Sequence, residues 1–152
     1  MSAIDTAMYV LHLVFGGVWT GSVVFVTFAI LPLAQDGTAN AEPLRSVVER
    51  LRWVSRASAL VLLASGGHMA GTLYTVESLT GSPRGHLVLT MVALWLGLAA
   101  LVEIGSSKLA DGFDQKKVRQ PARDARPFLL AASVVAAGLL VVGGLLASPT
   151  LL

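Results

Sequence analysis

The sequence predicts an all-α fold: a polytopic membrane four-helix bundle with both termini outside and a short amphipathic interfacial helix before the second span. Three observations predict it. The 152 residues are 55% hydrophobic and 13% charged, with a mean hydropathy of +0.74, too apolar for a soluble domain. The apolar residues gather in four stretches, Thr6 to Leu31, Val54 to Val76, His86 to Ser107 and Pro127 to Ala147. Each is close to the ~20 residues that cross ~30 Å of hydrocarbon at ~1.5 Å per residue. Finally, of the 11 Lys and Arg residues, all but Arg84 flank the first and third connections. Cytoplasmic loops carry that excess, which orients the bundle. A single domain, residues 1–152, accounts for the chain, and the expected location is the cell membrane as a multi-pass protein.

The first stretch opens with Asp5 and has no Lys or Arg before Arg45, unlike a secretory signal with its basic leader. It is expected to remain as a helix capped by Asp5. In the first connection Leu44, Val47, Val48, Leu51 and Val54 recur at spacings of three and four between Arg45, Glu49, Arg50 and Arg52. This pattern predicts the amphipathic helix, lying at the cytoplasmic interface and running into the second span. The third connection, Asp111 to Asp124, is polar and contains Pro121, so it reads as a solvated loop. Glu103, near the cytoplasmic end of the third stretch, is expected to relay protons or to pair with Lys108 or Arg56. Trp19 and Trp95 fall near mid-span. The fourth stretch, with Ser133 as its polar group and Gly138, Gly143 and Gly144 for close packing, is expected to be structural.

The net charge of +2 and pI of about 9.4 follow from this topology, and anionic lipid headgroups are the expected counter-charge. No nucleic-acid partner is implied. The absence of cysteine excludes disulfides, thiolate ligands and iron–sulfur clusters. No nucleophile-elbow, phosphate-loop or zinc-protease spacing is present, which argues against hydrolytic or nucleotide-driven chemistry.

The three histidines, His12, His68 and His86, all map to the outer half. An ionisable or metal-binding side chain at membrane depth is costly and marks a candidate site. His12 lies ~9 Å down and His68 ~12 Å down from the outer ends of their stretches at ~1.5 Å per residue, while His86 opens the third stretch. Met8, His12, Gly16 and Trp19 form one stripe on the first helix. On the second, His68 sits in the run Ser65-Gly66-Gly67-His68-Met69-Ala70-Gly71, where small residues let a helix or a planar cofactor approach. Two metal chemistries fit these residues. Haem b would take axial imidazoles from His12 and His68, with His86 a further candidate and Gly16, Gly67, Gly71 and Trp19 around the ring. Copper(I) would use His12 and His68 with the thioethers of Met8, Met69 and Met91.

The segment Leu11-His12-Leu13-Val14-Phe15-Gly16-Gly17-Val18-Trp19-Thr20-Gly21 resembles the opening helix of the copper resistance protein D family, in which a Leu-His pair precedes Trp-x-Gly. It is also similar to the related four-helix membrane haem proteins that include the oxygen-independent protoporphyrinogen oxidases. The resemblance implies a haem-ligand role for His12. The oxidase group carries a lysine early in the third helix, where this chain reads His86-Leu87-Val88-Leu89-Thr90. An electron-transfer or transport subunit is therefore expected rather than a stand-alone enzyme. The leading expectation is a haem b protein in membrane electron transfer. The alternatives are a copper uptake or handling transporter and a non-catalytic membrane assembly protein. Expected partners are the lipid bilayer, a redox partner or quinone, and further copies of the chain in a homo-oligomer.

Overall fold

The computed structural model describes residues 2–148; residue 1 and residues 149–152, the ends of the expected single domain, lie outside it. The described residues form four long helices and one short one. These are α1 (Ala3–Asp36), α2 (Ala41–Leu73), α3 (Val76–Gly81), α4 (Pro83–Asp114) and α5 (Arg119–Ala147).

Helix α1 starts at a capping box. Ser2 is the cap: its Oγ accepts the Asp5 N–H at 3.1 Å, while Asp5 Oδ2 accepts the Ser2 N–H at 2.8 Å. Asp5 thus supports the cap from the third helical position instead of forming it. Near the other end Pro32 has no N–H for the ladder, and the helix widens into a π turn over Val26–Ile30. Gly37, at φ +70°, ends α1. Its N–H and that of Thr38 close on the carbonyls of Ala34 and Leu33, a closure that needs the left-handed backbone glycine adopts freely.

Helix α2 is one unbroken run of 33 residues, so the amphipathic segment runs into the second long helix as expected but is not a short helix lying at the interface. Its buried positions, Leu44, Val48, Leu51, Ser55, Ser58, Leu62 and Ser65, alternate spacings of four and three and make one continuous seam. The apolar face of the amphipathic segment therefore packs inside the protein. Leu44 and Val48 share a core with Leu31, Ala34, Leu109, Phe113, Ala122, Ala125 and Leu129.

The expected loop from Asp111 to Asp124 is mostly helix. Helices α4 and α5 run past their apolar stretches and meet at the short turn 115–118, where Lys116 adopts φ 58°. Pro121 fits the first turn of α5, where its missing N–H costs nothing. It lies directly on Gly112 of α4, where any Cβ would overlap the proline ring. Above this point α5 offers α4 and α1 a smooth face of Ala122, Ala125, Ala132 and Ala136, all fully buried. Such small residues allow close approach of helices.

Helix α1 packs on α2, α2 on α4, α4 on α5, and α5 returns to α1. Trp19, Val23, Leu98 and Val102 fill the centre of this ring, each 0% exposed. Leu13, Phe28, Leu60, Val134 and Val141 face outward and are exposed, as expected for side chains whose solvent is lipid. Three helices, α1, α4 and α5, are long and apolar enough to cross a membrane, and the protein is an integral, multi-pass membrane protein. Helix α2 has the length but falls outside that group, since its apolar run is diluted by Ser58, Ser65, Gly66, Gly67 and His68.

The basic residues gather at the end where α1 and α4 finish. There Arg45 bridges Glu49 and Asp114, each at 3.1 Å, and Arg119 donates to the Asp36 carbonyl at 3.1 Å. Glu103 pairs with Arg56, as anticipated, and also with Arg52, both at 2.7 Å. Lys108 instead lies over the Phe128 ring, 5.3 Å from its centroid. Arg84 holds the Ser148 carbonyl at 2.6 Å at the opposite end. Both ends of the described chain are therefore on the side away from the basic cluster.

The Gly112–Pro121 contact sets how closely α4 and α5 meet. Replacing Gly112 by Ala is expected to cost roughly 1–3 kcal/mol through overpacking, whereas Gly17→Ala, into open space, should be neutral or slightly stabilising. Thermal unfolding in detergent checks this; equal midpoints for the two variants would contradict the packing.

Candidate functional site

Seven-residue spacing puts Asp5, His12 and Trp19 on one face of α1. Each meets a polar partner on α2. His68 Nε2–H donates to Asp5 Oδ1 at 3.0 Å, His12 Nδ1 and Ser65 Oγ are 3.0 Å apart, and Trp19 Nε1–H donates to Ser55 Oγ at 2.9 Å. The helices run antiparallel, so the three contacts form a ladder descending from the outer end toward the bundle centre.

The middle rung fixes the chemistry of His12. Ser65 Oγ donates its single proton to the Val61 carbonyl at 2.7 Å, the usual bond of a helical serine to the preceding turn. In that arrangement it accepts toward His12, which assigns the imidazole proton to Nδ1. The neutral ring keeps its lone pair on Nε2, and a second hydrogen-bonded group behind a ligating imidazole commonly selects the tautomer in this way. Gly66 makes the position available. A Cβ at residue 66 would lie 3.0 Å from His12 Cε1 and 3.4 Å from Nδ1.

Met8 lies between Asp5 and His12 on the same face of α1, and Met69 follows Ser65 by one turn on α2. Both are half-buried. Hydrogen bonds thus place His12 and His68 at the α1/α2 interface, and helical spacing puts Met8 and Met69 on the faces of α1 and α2 that carry His12 and Ser65. The structure does not bring the other two candidates there. Met91 points to α5, with its Cε 3.7 Å from the Cβ position of Gly143. His86 is exposed, and its Nε2–H donates to the Thr80 carbonyl at 2.7 Å, tying the start of α4 to α3.

These placements do not fit a porphyrin between α1 and α2. Gly16 faces Leu62 at 3.9 Å and Gly66 is filled by His12 itself, while Gly67 and Gly71 are exposed with nothing beside them. Trp19, expected to wall a ring, is 0% exposed and bonded to Ser55. His68 Nε2, the natural axial donor, is occupied by Asp5. The haem b expectation, and with it electron transfer to a quinone or redox partner, finds no support in this arrangement. Among the described residues no three His, Cys, Asp or Glu side chains form a metal-binding group.

Sequence reasoning missed Ser65, Gly66 and the partnership of Asp5 with His68. The signal was the seven-residue spacing of Asp5, His12 and Trp19, against Ser55, Ser58 and Ser65 on one α2 stripe.

A family model described as copper resistance protein D matches residues 45–147, from early α2 to the end of α5. This range leaves out α1, so it is independent of the first-helix segment that carries the resemblance. It supports the copper resistance part of that resemblance and not the protoporphyrinogen oxidase part. No curated protein and no solved structure matches the chain.

Ser65→Ala removes the acceptor of His12 Nδ1–H. The tautomer bias should fall by about 1 kcal/mol, roughly a five-fold change in ratio. Nitrogen-15 NMR of the labelled protein without metal reads this directly, and identical tautomer ratios in both proteins would refute the assignment.

Proposed function

The chain belongs to the copper resistance protein D family, and on that premise we propose that it handles copper(I) as cargo in the outer half of its helical bundle, with His12 as the principal ligand. One observation carries the reading: the Val61–Ser65–His12 chain of hydrogen bonds consumes Nδ1 and leaves the Nε2 lone pair to a metal.

Copper(I) is a soft ion that prefers thioether and imidazole donors and accepts low coordination numbers. Met8, one turn from His12, and Met69, across the interface, are the supporting donors. His68 supplies a further nitrogen through Nδ1, its Nε2–H remaining on Asp5. Since the carboxylate of Asp5 is already shared between Ser2 and His68, it acts on the site by orienting His68. Neutral imidazoles and thioethers hold the ion without compensating charge, which suits cargo that must be released.

The positive-inside rule places the basic end, with Arg45, Arg119 and the Glu103 cluster, in the cytoplasm, and the histidine–methionine interface toward the outer face. The fourth long helix, α2, crosses the bilayer in this reading despite its polar seam, since α1 and α4 partner Ser55, Ser65, His68 and Arg52 along it.

His12→Ala should weaken copper(I) binding at least ten-fold, about 1.4 kcal/mol, while His86→Ala should leave it unchanged. Competition of the purified protein against a chromophoric copper(I) chelator measures both, and cells lacking the protein should regain their normal copper tolerance with the wild type but not with His12→Ala. Unaltered affinity in His12→Ala would remove the reading.

A further inference from the structure

The basic end holds a second feature, unrelated to the histidines. Glu103 of α4 lies between two guanidinium groups of α2. Arg52 and Arg56 each donate from Nη2 to Oε1 at 2.7 Å, and Arg56 Nε–H reaches Oε2 at 3.3 Å. Two cations against one carboxylate leave one positive charge uncompensated, and most of the N–H donors on the half-exposed Arg56 are unused. The other charged groups of this end do not balance it. Arg45 takes up Glu49 and Asp114, Lys108 lies over Phe128, and Arg50 is exposed on the turn below.

The surroundings of the cluster change sharply along the helices. Toward the membrane centre the outer surfaces of α2 and α4 are apolar and open, with Leu60 69% and Leu96 56% exposed. Trp53, 73% exposed, lies one turn before Arg56 on the other side. A tryptophan beside a charged group at the end of an apolar face marks the headgroup level of a bilayer.

We propose that Arg52 and Arg56, held together by Glu103, form a binding site for the phosphodiester of an anionic phospholipid whose acyl chains lie along Leu60 and Leu96. The planar guanidinium fork matches phosphate oxygens and forms short charge-assisted bonds. Glu103 fixes the two forks before the lipid arrives, which lowers the ordering cost of binding. It also trims the site to a single surplus charge, matched by one phosphodiester. A zwitterionic headgroup brings its own cation to the arginines and is disfavoured, so the site selects for net negative lipids.

The test is native mass spectrometry of the full-length protein released from mixed micelles holding equal phosphatidylglycerol and phosphatidylcholine. The wild type should retain phosphatidylglycerol preferentially. Arg56→Gln should reduce that retention about ten-fold, and Arg50→Gln, removing a neighbouring exposed charge, should reduce it less than two-fold. Equal retention of the two lipids by the wild type, or equal losses in the two variants, would overturn the site. Because the lipid preference is read on the unmodified protein, the test survives misfolding of either variant. Inorganic phosphate at millimolar concentration should neither displace the lipid nor raise the unfolding temperature; displacement would identify a soluble anion as the occupant and overturn the lipid assignment.

Discussion

The structure depends on how the polar inner face of α2 is satisfied. In lipid, helices gain nothing by burying apolar surface against each other, because the tails are as apolar as leucine; close packing and interhelical hydrogen bonds decide association. Helix α2 brings Ser55, Ser65 and His68 to that problem, and α1 answers with Trp19, His12 and Asp5. Helix α4 answers with Trp95, whose Nε1–H meets the Ala59 carbonyl at 3.2 Å, and with Glu103. Helix α5 takes a different part: its alanine face and Gly112–Pro121 contact rely on proximity alone.

The same seam makes the candidate copper site. His12 holds α1 to α2 through Nδ1 and can offer Nε2 to an ion because the two nitrogens are separate positions on one ring. In the proposed role, gluing helices and binding cargo therefore make no competing demand on it. His68 differs, since its Nε2 is committed to Asp5, and it contributes most by keeping the outer ends of the helices together. Gly66 and Ser65 are adjacent in sequence and serve the same ring, one by giving it room and the other by fixing its proton.

Apolar runs were enough to locate the long helices, because a span needs a length of hydrocarbon that sequence displays openly. Their ends were not legible. The stretches around Leu44 and Pro121 are polar enough to resemble an interfacial helix and a loop, and only their packing on Leu109, Phe113 and Ala125 shows that they extend the bundle. The placing of His12 and His68 in the same half was legible, but their matched depth was not: His68 lies level with Asp5, one rung nearer the outer end than His12. Their partners were not legible either, since depth carries no information on which face of a helix a residue occupies. This explains why Gly67 and Gly71, read as space for a ring, point outward, whereas Gly66, one position earlier, takes up the neighbouring side chain. The family match over residues 45–147 and the first-helix segment divide the chain between them, and their agreement on copper comes from separate residues.

Helix α2 also bears on how the chain is built during synthesis. Its composition keeps it outside the group of helices that length and apolarity mark as able to cross a membrane, and Ser55, Ser65 and Arg52 find side-chain partners on α1 and α4. The expectation for synthesis is that α2, more than α1, α4 or α5, depends on its neighbours to take its place in the bundle, because interhelical hydrogen bonds rather than apolarity hold it there.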